Sequence, residues 1–157
     1  MNKTIKLTRD IELHPKYLNS NIGGNIFEIL KNTKICSESI GIVTEIQKIL
    51  KIQSISISQV TKFPIFRVQF MASVILPEKN IITESRITMI FQQGIFLESD
   101  YVKFLIPVSE LGGYVFNDFS NFFYRDDIIL KVGDIINIKI LDIKYEKNSF
   151  NCIATLI

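Results

Sequence analysis

The chain has 157 residues, which is enough for one ordinary domain or two small ones. Hydrophobic residues make up 47% of it and charged residues 22%, so the chain can bury a real core and wholesale disorder is excluded. Its formal net charge of +2 is too balanced to hold nucleic acid by counterion release alone, so any nucleic-acid contact has to be local or helped by stacking.

The cysteines and the hydropathy pattern indicate the compartment. Cys36 and Cys152 have no CxxC or Cys/His spacing around them, which favours buried thiols in a reducing environment. No window approaches the roughly 18 apolar residues that a membrane span requires. The N-terminus alternates polar and apolar residues and lacks the unbroken apolar centre of a signal peptide. We therefore expect a soluble, intracellular protein.

The N-terminal third predicts a strand followed by a helix. Residues Thr4–Leu13 alternate as a strand, with a turn near residues 9–10. Apolar residues across Leu18–Leu30 then recur at helical spacing, and Asn19 or Ser20 is available as the helix cap. This helix should be short and held by packing against a sheet.

From Ile40 the apolar period changes to two, which predicts three antiparallel strands. Two of them lie on either side of a bend near residues 51–54, and the third covers 65–76 between two prolines. The segment Pro77-Glu78-Lys79-Asn80 is the natural domain boundary, dividing the chain into residues 1–78 and 79–157.

The second domain shows five strand signals of regular length. They lie at residues 82–91, 94–99, 102–108, 134–144 and 149–156. Five strands that close on each other form an OB barrel, a fold that mostly binds single-stranded nucleic acid or sugars. The sequence thus predicts an α+β protein that is mostly β, with an N-terminal antiparallel sheet and one helix followed by a C-terminal five-stranded OB barrel.

Residues 112–127 connect the third and fourth of these strands and are rich in aromatic side chains. Such a loop is either folded back over the end of the barrel or is a docking surface.

Two stretches together resemble one known family. The segment Asp10-Ile11-Glu12-Leu13-His14-Pro15-Lys16-Tyr17-Leu18, followed by a helix and strands, resembles the opening of the seventh subunit of RNA polymerase II and of its archaeal counterpart. The second half resembles the S-one type of OB domain that closes these proteins. The resemblance covers nearly the whole chain in order, and the AT-rich coding implied by its Ile, Asn and Lys content suggests a viral member.

The resemblance implies a noncatalytic stalk subunit of a multisubunit DNA-directed RNA polymerase. Its expected partners are the polymerase core subunits, a small helical subunit of the fourth-subunit type, and nascent single-stranded RNA, which it binds weakly. Its expected location is the nucleus if the protein is cellular, and a cytoplasmic viral factory or virion if it is viral. The alternative is a freestanding single-stranded RNA-binding protein of translation or RNA processing.

Strand alternation identifies the candidate RNA-binding residues. If Ile95 and Leu97 fill the barrel, Phe96 points outward, and an exposed aromatic beside a lysine is the combination that single-stranded RNA binders use. Phe96 could instead pack against another subunit or lie in the core. The candidate RNA-binding set is Arg86, Phe96, Lys103, Leu105 and Lys139.

Departures from the family pattern lower the expected affinity. Strong S-one binders have an aromatic residue where this chain has Gln93, and a histidine where it has Pro107. RNA binding should therefore be weak and nonspecific.

The resemblance also places a core-docking tip at residues 51–64. The residues implied in docking are Gln59, Lys62, Phe63 and Pro64. Relatives often carry glycines at this tip, and this chain does not.

No catalytic constellation accompanies these features. His14, the single histidine, precedes a proline and has no partner set near it, and the adjacent Asp126 and Asp127 fit a solvated turn. The chain contains no phosphate-loop, zinc-protease or nucleophile-elbow motif. We expect no catalytic residues, no metal and no cofactor.

Overall fold

The structure, a computed structural model, describes residues 1–157. The chain divides into two compact units, Asn2–Leu76 and Pro77–Ile157. About 60% of the residues lie in strands, and there is one α-helix, which confirms the predicted α+β, mostly β fold class.

The N-terminal unit is a four-stranded antiparallel sheet with one helix packed on it. Its elements are β1 (Asn2–Glu12), α1 (Ile22–Asn32), β2 (Cys36–Ser37), β3 (Gly41–Ile57) and β4 (Pro64–Ile75), and the strand order is β1-β4-β3-β2. Ile26 and Leu30 of the helix pack with Val68, Phe70 and Ala72 of the central strand, and all five are buried. The apolar stripe of the helix and one face of the sheet therefore form the core.

Several expectations for single elements of this unit are wrong. Strand β1 continues through residues 9–10 without a turn, since Arg9 and Asp10 pair with Val68 and Arg67 of β4. The helix begins at Ile22, after a 3-10 turn at Pro15–Tyr17.

Its N-cap residue is Asn21, which makes no capping side-chain bond. Asn19 is instead engaged just before the helix, where its side-chain oxygen accepts hydrogen bonds from the Asn21 backbone N–H and the Asn25 side chain.

The predicted bend near residues 51–54 is also absent, because β3 is one continuous strand of 17 residues. Four irregularities in its pairing with β4 each place an extra residue in β3. As a result Ile46, Ile49 and Ile52 face the core at intervals of three residues, which breaks the period of two. The change of period in this strand explains why the sequence pattern predicted a bend.

The C-terminal unit contains a closed five-stranded barrel. Its strands are β5 (Ile82–Phe91), β6 (Gly94–Ser99), β7 (Val102–Pro107), β11 (Ile135–Glu146) and β12 (Ser149–Leu156), which close in the order β11-β12-β7-β6-β5. Strand β12 pairs with β7 in parallel, and the other pairs are antiparallel. This is the strand order of an OB barrel, as predicted.

Residues 112–127, expected to be one long loop, contain two strands of a second small sheet. Strands β8 (Val115–Asn117), β9 (Phe122–Arg125) and β10 (Ile128–Leu130) form an antiparallel meander. Asn121 and Asp126 adopt positive φ angles in its two turns, which allows connections of only a few residues. One face of the meander is anchored by Phe123, which is fully buried.

Candidate nucleic-acid interface

The outer face of the barrel carries a row of apolar side chains across neighbouring strands. Phe96 on β6 lies opposite Leu105 on β7, and Leu105 lies opposite Ile153 on β12. Ile153 in turn lies opposite Asp142 on β11. We call Phe96, Leu105 and Ile153 the apolar row. The Asp142 carboxylate lies at the end of this row, next to Ile153.

A second, cationic row runs beside the apolar row. Lys103 on β7 lies opposite Asn151 on β12, and Asn151 lies opposite Lys144 on β11. We call these three residues the lysine row. These residues lie two positions along their strands from Leu105, Ile153 and Asp142 respectively, which corresponds to about 7 Å.

The two rows line one shallow groove of about 400 Å³, which is mostly apolar. Its lining residues are Phe96, Lys103, Phe104, Leu105, Asp142, Ile143, Lys144, Asn151, Cys152 and Ile153. A groove of this size with apolar walls and a few polar groups at its rim is typical of ligand sites.

Charges at the groove are nearly balanced. The Lys79 ammonium lies 3.3 Å from the Asp142 carboxylate, and that of Lys144 lies 3.2 Å from Glu146. A hydrogen bond from the Ile143 backbone N–H, and the Lys79 ammonium, lower the pKa of Asp142, so its carboxylate is ionised at neutral pH. Beneath the groove, burial raises the pKa of the Cys152 thiol to about 11, which leaves that thiol neutral and unreactive.

The structure brings three of the five candidate RNA-binding residues together. Phe96, Lys103 and Leu105 all line the groove. Arg86 does not: it lies on β5, opposite Glu98 of β6 and Ile135 of β11.

Lys139 is also separate from the groove, because it pairs with Thr155 on one side and with Ile82 on the other. Neither side chain lines the groove, although Arg86 stands in the same cross-strand row as Lys103, with Glu98 between them.

Sequence reasoning missed the other groove residues, among them Asp142, Lys144, Asn151 and Ile153. The alternation of β12 does place Ile153 outward, between buried Cys152 and Ala154. For β11 no sequence signal was available, because a register shift between residues 140 and 142 changes which side chains face outward.

The residues implied in core docking lie together at the hairpin between β3 and β4. The Ser58 N–H donates to the Phe63 carbonyl over 2.9 Å, and the Lys62 N–H donates to the Ser58 carbonyl over 3.0 Å. Gln59 lies in this turn, Lys62 adopts a positive φ of 65°, and Pro64 begins β4. Lys62 thus occupies the left-handed conformation for which glycine would be preferred.

Contacts to the segment after β1 hold this tip. The His14 ring makes an edge-to-face contact with the Phe63 ring at a centroid distance of 4.8 Å, and the His14 Nδ1 caps the following 3-10 turn. The Leu13 N–H donates to the Pro64 carbonyl, and the Thr61 hydroxyl donates to the Glu12 carboxylate. His14 therefore has a structural role in fixing the tip.

Two apolar side chains at the tip have no internal partner surface. Ile57 is 61% exposed, and Val60 is 90% exposed. Neither was among the expected docking residues, although both lie within the segment 51–64 that the sequence indicated.

No group of three or more His, Cys, Asp or Glu side chains is arranged to hold a metal ion. None of the helices is both long enough and apolar enough to traverse a lipid bilayer.

Comparisons with known proteins match the chain to one kind of protein. No family model matches it. The chain is 29% identical over 149 residues to the DNA-directed RNA polymerase II subunit RPB7 of Glycine max, covering 92% of this chain and 77% of that protein. It is 24% identical over 158 aligned positions to the DNA-directed RNA polymerase II subunit 7 of Arabidopsis thaliana, covering 97% and 90%. These matches confirm the resemblance of this chain to the seventh subunit of RNA polymerase II over nearly its whole length.

Proposed function

We propose that this chain is a noncatalytic stalk subunit of a multisubunit DNA-directed RNA polymerase. The observation that carries the proposal is the extent of the similarity to subunit 7 of RNA polymerase II, which covers 92% and 97% of the chain in the two comparisons. Because the similarity spans both the sheet and the barrel, the shared role involves the whole chain. Catalysis then resides in the large subunits, and this chain contributes binding surfaces.

The β3–β4 hairpin docks on the polymerase core. Its conformation is fixed by the turn hydrogen bonds and by the contact of Phe63 with His14, so little order has to be gained on binding. Ile57 and Val60 supply exposed apolar surface, and Gln59 and Lys62 supply polar contacts at the rim. An apolar centre with a polar rim is the usual anatomy of a protein interface.

The barrel groove guides nascent RNA. The apolar row offers surfaces for stacking bases, and Lys103 and Lys144 are positioned to contact phosphates. Asp142 and Glu146 offset much of this positive charge. The contact is therefore weak, which suits a strand that has to slide past.

A small helical subunit of the fourth-subunit type covers part of the stalk. The β8–β10 meander presents Val115, Tyr124 and Ile129 opposite one another on its outer face, and they are 51%, 39% and 53% exposed. Contiguous apolar side chains of this kind usually mark a protein contact. The partner would bury them.

The proposed site of action is the nucleus, because both matched relatives are subunits of RNA polymerase II. The viral origin suggested by the coding bias stays a prediction, because both of these relatives are plant proteins.

Affinity purification of the tagged chain from its own cells tests the assignment. Large polymerase subunits and a small helical subunit should co-purify with the wild-type chain. Val60→Asp should reduce recovery of the large subunits about tenfold or more, since an unpaired carboxylate buried in the interface costs more than about 1.4 kcal/mol.

The matched control is Val132→Asp, which introduces the same charge at another exposed valine in the second unit. It should leave recovery unchanged. If no large subunit co-purifies at low salt, the stalk assignment is wrong. If Val60→Asp and the wild type recover the large subunits equally, the tip does not dock.

A further inference from the structure

We propose that the barrel groove selects guanine in single-stranded RNA, with the Asp142 carboxylate accepting two hydrogen bonds from the edge of the base. The inference rests on the proposed RNA contact of the barrel and specifies the base that this site takes. It goes beyond the weak, nonspecific binding expected from the sequence.

The apolar row provides the surface on which a base packs. Leu105 and Ile153 lie side by side on β7 and β12, and Phe96 adds a ring that is 40% exposed. Asp142 lies one strand further on, about 4.8 Å from Ile153. A base that lies over Leu105 and Ile153 therefore directs one edge at this carboxylate.

The lysine row fixes the orientation of that base. Lys103 and Lys144 lie about 7 Å along their strands from the apolar row, on the same side of it. A phosphate bound at the lysine row leaves the sugar and then the base to extend toward the apolar row, so the base edge reaches Asp142 while the backbone stays at the lysines.

The chemistry of the carboxylate decides which base fits. An ionised carboxylate only accepts hydrogen bonds, and the ionised form of Asp142 is favoured by the Ile143 N–H and by Lys79. Guanine presents two adjacent donors, N1–H and the N2 amino group. Adenine and cytosine present one amino donor beside an acceptor nitrogen, and uracil presents one N–H between two carbonyl oxygens. Only guanine can donate a hydrogen bond to each carboxylate oxygen without also directing an acceptor atom of the base at the carboxylate.

A carboxylate in a groove for a polyanion is otherwise explained by its ion pair with Lys79 and by its hydrogen bond from the Ile143 backbone N–H. That pair is exposed on both sides, and exposed pairs contribute little to stability. The two explanations predict different behaviour of Lys79→Ala. If Asp142 serves only the ion pair, no variant distinguishes the four bases, and Asp142→Ala strengthens RNA binding whereas Lys79→Ala weakens it, because the two changes remove opposite charges. If Asp142 reads the base, only its own removal abolishes selectivity.

The test is fluorescence anisotropy with the full-length chain at fixed, low salt. The probes are fluorescein-labelled oligouridylates of one length that carry a single central guanosine, inosine or adenosine, or no replacement. Inosine keeps N1–H and lacks the N2 amino group, so it isolates the second hydrogen bond. The variants are Asp142→Ala and Lys79→Ala, and thermal unfolding of each establishes that it is folded.

The wild-type chain should bind the guanosine probe about five- to tenfold more tightly than the other three probes. This is the lower part of the range for a bidentate base contact, because the Asp142 side chain is exposed. Asp142→Ala should bind all four probes alike, and Lys79→Ala should keep the preference. Equal binding of the four probes by the wild-type chain overturns the inference but leaves the RNA contact of the barrel intact. Loss of the preference in both variants also overturns it, and failure of every probe to bind overturns the inference together with the RNA contact.

Discussion

Truncation of Phe96 to alanine should weaken RNA binding by an amount that follows from its exposure. The Phe96 side chain is 40% exposed, which for an aromatic side chain of about 200 Å² leaves about 80 Å² for a base. A base that covers half of this surface removes about 40 Å² from water, worth about 1 kcal/mol at about 25 cal/mol per Å². The dissociation constant should therefore rise about fivefold, near the lower limit for a stacked base.

The assay is an anisotropy titration of a labelled single-stranded RNA at two salt concentrations. The control variant is Phe119→Ala, because Phe119 is 98% exposed and lies outside the groove, on the meander hairpin. Stacking depends little on salt, whereas the contribution of Lys103 shrinks as salt rises. The fivefold ratio for Phe96→Ala should thus persist at both salt concentrations.

Two results would refute this reasoning. An unchanged dissociation constant for Phe96→Ala would mean that no base contacts the apolar row. An equal loss in Phe119→Ala would mean that any exposed aromatic side chain contributes, and the groove would then have no special role.

Three further predictions concern stability and reactivity. Phe123→Ala should lower the free energy of unfolding by about 3–5 kcal/mol in urea titrations, whereas Phe119→Ala should change it by less than about 0.5 kcal/mol; equal effects would contradict the observed packing. Cys36 should react with a thiol reagent at pH 8 well before Cys152, whose pKa is raised by burial from 9.0 to about 11; simultaneous labelling of both cysteines in the native state would argue against the burial of Cys152. The stability that the raised pKa provides should be present below pH 9.0 and lost as the pH rises to about 11. Lys62→Gly should leave the free energy of unfolding nearly unchanged, while Lys62→Val should lower it by about 1–2 kcal/mol because a β-branched residue fits a positive φ poorly; a stable valine variant would show that the turn conformation is wrong.

The barrel strands were predictable because each one follows a simple alternation. In β6 from Ile95 onward, and throughout β7, more buried and more exposed side chains alternate, so Phe96 and Lys103 could be placed outward from the sequence alone. The same reasoning failed in β3, where extra residues in the pairing change the period. It also failed for residues 112–127, where short strands joined by tight turns look like a loop because each is only three or four residues long.

The sequence by itself determined the fold class, the five barrel strands and the outward direction of most of their side chains, because these depend on local alternation and turn residues. Only the tertiary structure decided which outward side chains share a groove. Leu105 and Ile153 meet through the parallel pairing of β7 with β12, and Asp142 joins them through a register shift in β11. Both depend on contacts between residues far apart in the chain, so the sequence alone could not show that Arg86 and Lys139 lie outside the groove.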